Sequence, residues 1–115
     1  MKKFDIDKYF TYRQESESDD WDTYTWWVIR LNAGKIVKDF GIEAGANTFV
    51  MTVMLACDRN ALAFTQAEHK RGGWYETTSR EEGCRGMEEE YITDVLKPGL
   101  EKIITGYLAG QADKK

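Results

Sequence analysis

The residues of this chain that could do chemistry are few, and their spacing limits what each can do. Five carboxylates, Glu15, Glu17, Asp19, Asp20 and Asp22, crowd one short segment and could offer oxygen ligands to a hard cation. Their spacing lacks the glycine and the distal glutamate of a calcium-binding loop, so a solvated acidic turn is the expectation. His69 is the only histidine; with Cys57 and Cys84 it supplies ligands from three separate segments without paired spacing, which gives zinc no site. Cys84 lies between Arg80 and Arg85 ahead of a helical pattern, a setting that stabilises a thiolate. Nearby glutamates oppose that effect, and no base partner is evident. The expectation is no catalytic residue, no metal and no cofactor.

Binding chemistry has more to work with. Trp26 and Trp27 are adjacent within 23–32, a run of aromatic, β-branched and polar residues with strand character. The pleat sends neighbours to opposite faces. Thr23, Thr25, Trp27, Ile29 and Leu31 share one face, while Tyr24, Trp26, Val28 and Arg30 share the other. Arg30 beside Trp26 could form a guanidinium and indole platform for a base or a peptide, although arginines commonly just lie along apolar surface. The glycine-rich stretch 41–45 fits neither a phosphate-binding loop nor a dinucleotide loop, because the lysine and hydroxyl residues are missing and no helix is expected after it.

The elements that must position these residues follow from periodicity. Residues 8–14 alternate and form a first strand, closed by the acidic turn, with 23–32 as the second. Asn32, Ala33 and Gly34 suggest a tight link into a third strand over 35–40. The β-branched residues of 48–57 suggest a central strand with Phe49, Met51, Val53, Leu55 and Cys57 on its core face. Residues 60–70 suit helix or strand; strand is preferred because Arg71, Gly72 and Gly73 make a hairpin link into 74–80. After a loop over 81–86, a helical stripe runs from Tyr91 to Leu108 and keeps its phase through Pro98. One helix bent at the proline, or two nearly collinear ones, is predicted, with Glu88, Glu89 and Glu90 in the first turn. The predicted fold class is α+β: an antiparallel β-meander of five to six strands, curled or open, with one kinked C-terminal helix. It occupies a single domain, 1–110, followed by a frayed tail, 111–115.

Composition narrows the function. A 115-residue chain that is 42% hydrophobic can bury a core without staples, and two cysteines are no disulfide framework. A net charge of −4 disfavours direct nucleic-acid binding. The first seven residues lack a signal-peptide core and no apolar run reaches membrane-spanning length, so a cytoplasmic protein with no membrane partner is expected. One helix about 10 Å wide roofs about two strands at 4.8 Å spacing, so a predicted aromatic face stays uncovered. Curling of the sheet, a homodimer, or a partner would each resolve that. The leading expectation is a non-enzymatic protein-interaction module, a small inhibitor or adaptor, that binds another protein or a second copy of itself. Its face would use Tyr24, Trp26, Val28, Arg30 and Tyr75, with Glu15, Glu17, Asp19, Asp20, Glu81 and Glu82 as an acidic rim. The alternative is a small-ligand protein that binds or sequesters a nucleotide or metabolite among Trp26, Trp27, Tyr75 and Arg30.

Overall fold

Alternating rings and polar residues build β1 (Phe10–Ser18) and β2 (Thr23–Asn32), paired antiparallel from Phe10 opposite Leu31 to Ser18 opposite Thr23. The computed structural model describes residues 3–79 and 87–113. A two-residue β3 (Glu68–His69) and the five-residue β4 (Trp74–Thr78) complete an antiparallel sheet in the order β1-β2-β4-β3. Among the described residues the sheet therefore has four strands where five to six were predicted, because two expected strands are helices. The predicted loop 81–86 lies outside the described residues.

Asn32 does not turn the chain into a strand. Its side-chain oxygen accepts the Lys35 N–H at 3.0 Å and starts helix α1 (Ala33–Phe40). Ala33, Ile36, Val37 and Phe40 have helical spacing, and Gly41, at φ +64°, ends the helix in the left-handed conformation with its N–H on the Val37 carbonyl. Helix α2 (Ala46–Arg59) replaces the predicted central strand, so a helix does follow the glycine-rich stretch. Alternation would bury Met51 and Leu55 with Phe49; the 3.6-residue repeat instead buries Phe49, Val50, Val53 and Cys57 and leaves Met51 64% and Leu55 57% exposed. Propensity differences of under about 1 kcal/mol per residue yield to the burial of one continuous apolar face. Residues 60–70 give the sheet only Glu68 and His69; the remainder is an irregular connection that buries Leu62 and Phe64.

The C-terminal helix opens with Glu89–Tyr91, widens into a π segment over Ile92–Leu96 and continues as Lys97–Asp113. The Lys97 N–H bonds to the Ile92 carbonyl, five residues back. In a regular α turn the ring of Pro98 would meet the Asp94 carbonyl, and the widened turn lies where that conflict would fall. The stripe keeps its phase across it: Ile92, Leu96, Leu100 and Ile104 are all fully buried. No described helix is long and apolar enough to cross a membrane.

Three helices, not one, thus share a core with the sheet face that carries Phe10, Ile29, Leu31 and Tyr75. Tyr9 closes one end of this core. Its ring stacks on Phe4 at 5.5 Å, its hydroxyl donates to Asp39 at 2.8 Å, and burial together with that carboxylate pushes its pKa up to about 12. The start of α1 meets the link into β4 backbone to backbone. A Cβ on Gly34 would lie 2.7 Å from the Gly73 Cα, and Gly73 itself has φ +81°.

Two stability measurements follow from these contacts. Gly34→Ala should lower stability by roughly 1–3 kcal/mol, since overpacking outweighs the ~1 kcal/mol of better helix propensity. A urea midpoint equal to or above that of the parent would refute the close crossing. The Tyr9 hydroxyl must stay protonated to donate, so its contribution is complete below the ordinary value of 10.0 and is lost as pH rises through about 12. Tyr9→Phe should flatten the alkaline fall in melting temperature by an amount worth at most about 2–3 kcal/mol.

Candidate functional site

The sheet is uneven along its length, and that produces the candidate site. β4 pairs only with residues 28–32 of β2. One further link follows, in which the Trp27 N–H donates to the Ser79 hydroxyl at 2.7 Å and the Ser79 N–H to the Trp27 carbonyl at 2.9 Å. Beyond it, among the described residues, 23–26 and 15–18 pair only with each other, as a two-stranded arm whose paired positions span roughly 13 Å before its loop. The long axis of the molecule is 58 Å, against 27 and 21 Å across. From Glu15 to Trp26 the arm holds five carboxylates and no basic residue, so the rest of a chain of net charge −4 carries +1.

The arm's loop is organised by Asp19. One carboxylate oxygen accepts the N–H groups of Asp22 at 2.7 Å and Trp21 at 2.8 Å, and the Asp19 N–H donates to the Asp22 carbonyl at 2.9 Å. The Asp22 and Trp21 N–H groups hold the Asp19 carboxyl below its ordinary value. A four-residue loop closed by Asp19 has no surface to fold back on, and Trp21 is 90% exposed there. Sequence reasoning took this segment as an acidic turn and passed over Trp21. The available signal was an indole placed among carboxylates, where a turn offers no core.

The predicted binding residues divide between the arm and the body. On the outer face of the arm, Glu17 stands opposite Tyr24 and Glu15 opposite Trp26, so acids and rings alternate across it. Tyr24 is 53% exposed and Trp26 is half-buried. Glu15 also pairs with Arg13 of its own strand at 2.7 Å. Val28 lies on the same face but in the body, between Arg13 and Thr78 in register, and is buried. Arg30 is partnered within the chain: Glu76 lies 3.4 Å from its Nε and its guanidinium sits 4.7 Å above the ring of Trp74, not Trp26. Tyr75 faces the opposite side of the sheet, buried, with its hydroxyl donating to Asn47. Asp19 and Asp20 belong to the tip, whereas Glu81, Glu82, Arg80, Cys84 and Arg85 lie outside the described residues.

The arm is anchored from below by Trp27. Its indole N–H donates to the Met87 carbonyl at 3.1 Å and its ring meets Tyr12 edge-on at 5.7 Å, while the Tyr12 hydroxyl reaches Glu89 at 3.2 Å. Beneath the arm opens a cleft of about 930 Å³ between Thr23, Thr25 and the carboxylates of Glu88, Glu89 and Glu90. Burial pushes the Cys57 thiol up to about 11, which makes it a poor nucleophile at neutral pH. Among the described residues no three histidine, cysteine or acidic side chains converge to hold a metal ion. Comparison of the chain with protein-family models, curated proteins and solved structures found no match.

The Asp19 turn has a pH signature. A carboxyl held below its ordinary value of 3.8 contributes order above that pH and loses it as pH falls through the lower folded value. Hydrogen exchange at the Trp21 and Asp22 amides should therefore accelerate in acid, and in Asp19→Ala at every pH. Asp19→Asn, which keeps an acceptor oxygen, should remove the acid dependence. Equal protection in all three proteins would show that the carboxylate does not hold the tip.

Proposed function

We propose that the chain is a non-enzymatic protein-interaction module, an inhibitor or adaptor in kind, that docks by its acidic aromatic arm on a basic surface of another protein. The observation that carries this reading is Trp21, 90% exposed at the end of an arm with five carboxylates. Exposed side chains scattered singly mean little, but here Trp21, Tyr24 and Trp26 share one projection with charge of a single sign. Aromatic anchors concentrate binding energy when a partner desolvates them, and surrounding charges raise the rate of encounter and set its orientation.

The small-ligand alternative is less well supported by the geometry. Its four pocket residues are split by the sheet: Trp27 and Tyr75 lie on the core face, Trp26 and Arg30 on the other. Trp27 and Arg30 already have partners within the chain.

Trp21→Ala measures the arm's role. It should weaken capture of the native partner by roughly tenfold or more, with an unchanged melting temperature, and binding of the parent should fall steeply with added salt. Undiminished capture by Trp21→Ala combined with Tyr24→Ala would remove the arm from the interaction. A melting shift with nucleotides or metabolites, in the absence of any protein partner, would favour the alternative.

A further inference from the structure

The outer edge of β1 has a defined hydrogen-bonding parity. In an antiparallel strand, alternate residues turn both backbone groups toward the same neighbour. The Asn32 N–H donates to the Tyr9 carbonyl at 2.7 Å, and the Asp19 N–H to the Asp22 carbonyl at 2.9 Å, so at both ends of β1 it is the odd residues that bond to β2. The register between these ends is unbroken. Phe10, Tyr12, Gln14, Ser16 and Ser18 therefore turn their N–H and C=O groups outward, along an edge that no described strand covers.

We infer that this edge pairs with the same edge of a second copy, about a two-fold axis through Gln14, to give a homodimer with one continuous sheet. Pairing must run through the outward residues of both copies, so the axis can move only in single-residue steps. Each position brings different charges together. An axis at Gln14 sets Arg13 of each copy opposite Glu15 of the other, giving two opposite-charge pairs. An axis at Arg13 sets arginine against arginine, and one at Glu15 sets glutamate against glutamate. The odd residues are the non-hydrogen-bonded pairs of such a ladder, the class in which facing side chains come closest.

Side-chain size agrees with the charge. On the other face the same register sets Ser16 opposite Tyr12 and Ser18 opposite Phe10, small against large at each position. It also carries the acidic loop of each copy toward the Phe10 end of the other, where Lys8 is exposed. Long uncovered edges are commonly protected from pairing by their charges; here the charges exclude the neighbouring registers and favour one. Glu15 serves both surfaces, but Trp21, on which the partner reading rests, lies in the loop beyond the β1 edge, so this inference goes beyond that reading and does not depend on it.

The test is light scattering and sedimentation of the full chain across a concentration series, with circular dichroism to follow folding. The parent should reach twice its 13.3 kDa monomer mass. Arg13→Glu alone and Glu15→Arg alone should each weaken the dimer by on the order of tenfold or more, since two attractive pairs become repulsive. Mixing the two variants should restore a one-to-one heterodimer, and the chain carrying both reversals should dimerise like the parent. Trp21→Ala should leave the dimer intact, which separates this inference from the arm's role in partner binding. A monomeric parent, single reversals that dimerise as well as the parent, or a mixture that stays monomeric would each overturn it.

Discussion

The shortness of β4 governs the shape of the molecule. Five residues of β4 back a ten-residue β2, and the Ser79 hydroxyl closes the ladder at Trp27. Up to that point β2 is paired on both sides and its core-facing residues are fully buried. Past it, among the described residues, β2 pairs only with β1, and an isolated two-stranded ribbon is marginal in water unless something holds it. Here the support comes from two places: Trp27 at the base, hydrogen-bonded to the Met87 carbonyl, and Asp19 at the tip, which satisfies two loop amides with one oxygen. The arm is thus pinned at both ends.

Charge is distributed along the same division. The body is close to neutral, and the arm holds more negative charge than the whole chain shows in net. Carboxylates separated by a Debye length of about 8–10 Å are screened from one another at physiological salt, but those on one narrow ribbon are closer and act together. A body that gathered these acids around its core would lose solvation energy at each; a projecting ribbon keeps them in water. The body's own charges on the outer face are paired, with Arg30 held between Glu76 and Trp74.

Much of this was legible in the sequence. The bounds of β2 emerge from its alternation and the core stripe of the C-terminal helix from its period, whereas of the five carboxylates expected in a turn Glu15 and Glu17 continue β1 to Ser18 and only 19–22 form the loop. The side-chain division between the faces of β2 also follows from the pleat alone. Two helices were hidden. In α1 the pair Asn32 and Gly34 has turn chemistry, yet Asn32 serves as a cap and Gly34 is required for its approach to Gly73. In α2 the threonines and valines favour a strand, and Met51 and Leu55 match an alternating core as well as a helical surface.

Sequence by itself determined local matters: where alternation or helical period is sustained, which residues share a face, and where charge collects. Tertiary structure decided what sits on top of what. A short apolar segment such as 48–57 has nearly equal local preferences for the two states, and the larger free energy of burying Phe49, Val53 and Cys57 against the C-terminal helix selects one. Whether Tyr24 and Trp26 have strand neighbours on both sides likewise depended on where the pairing of β4 ends, which among the described residues is at Val28 opposite Thr78. That reach is set by long-range pairing between segments some fifty residues apart, a contact for which no residue carries a local mark.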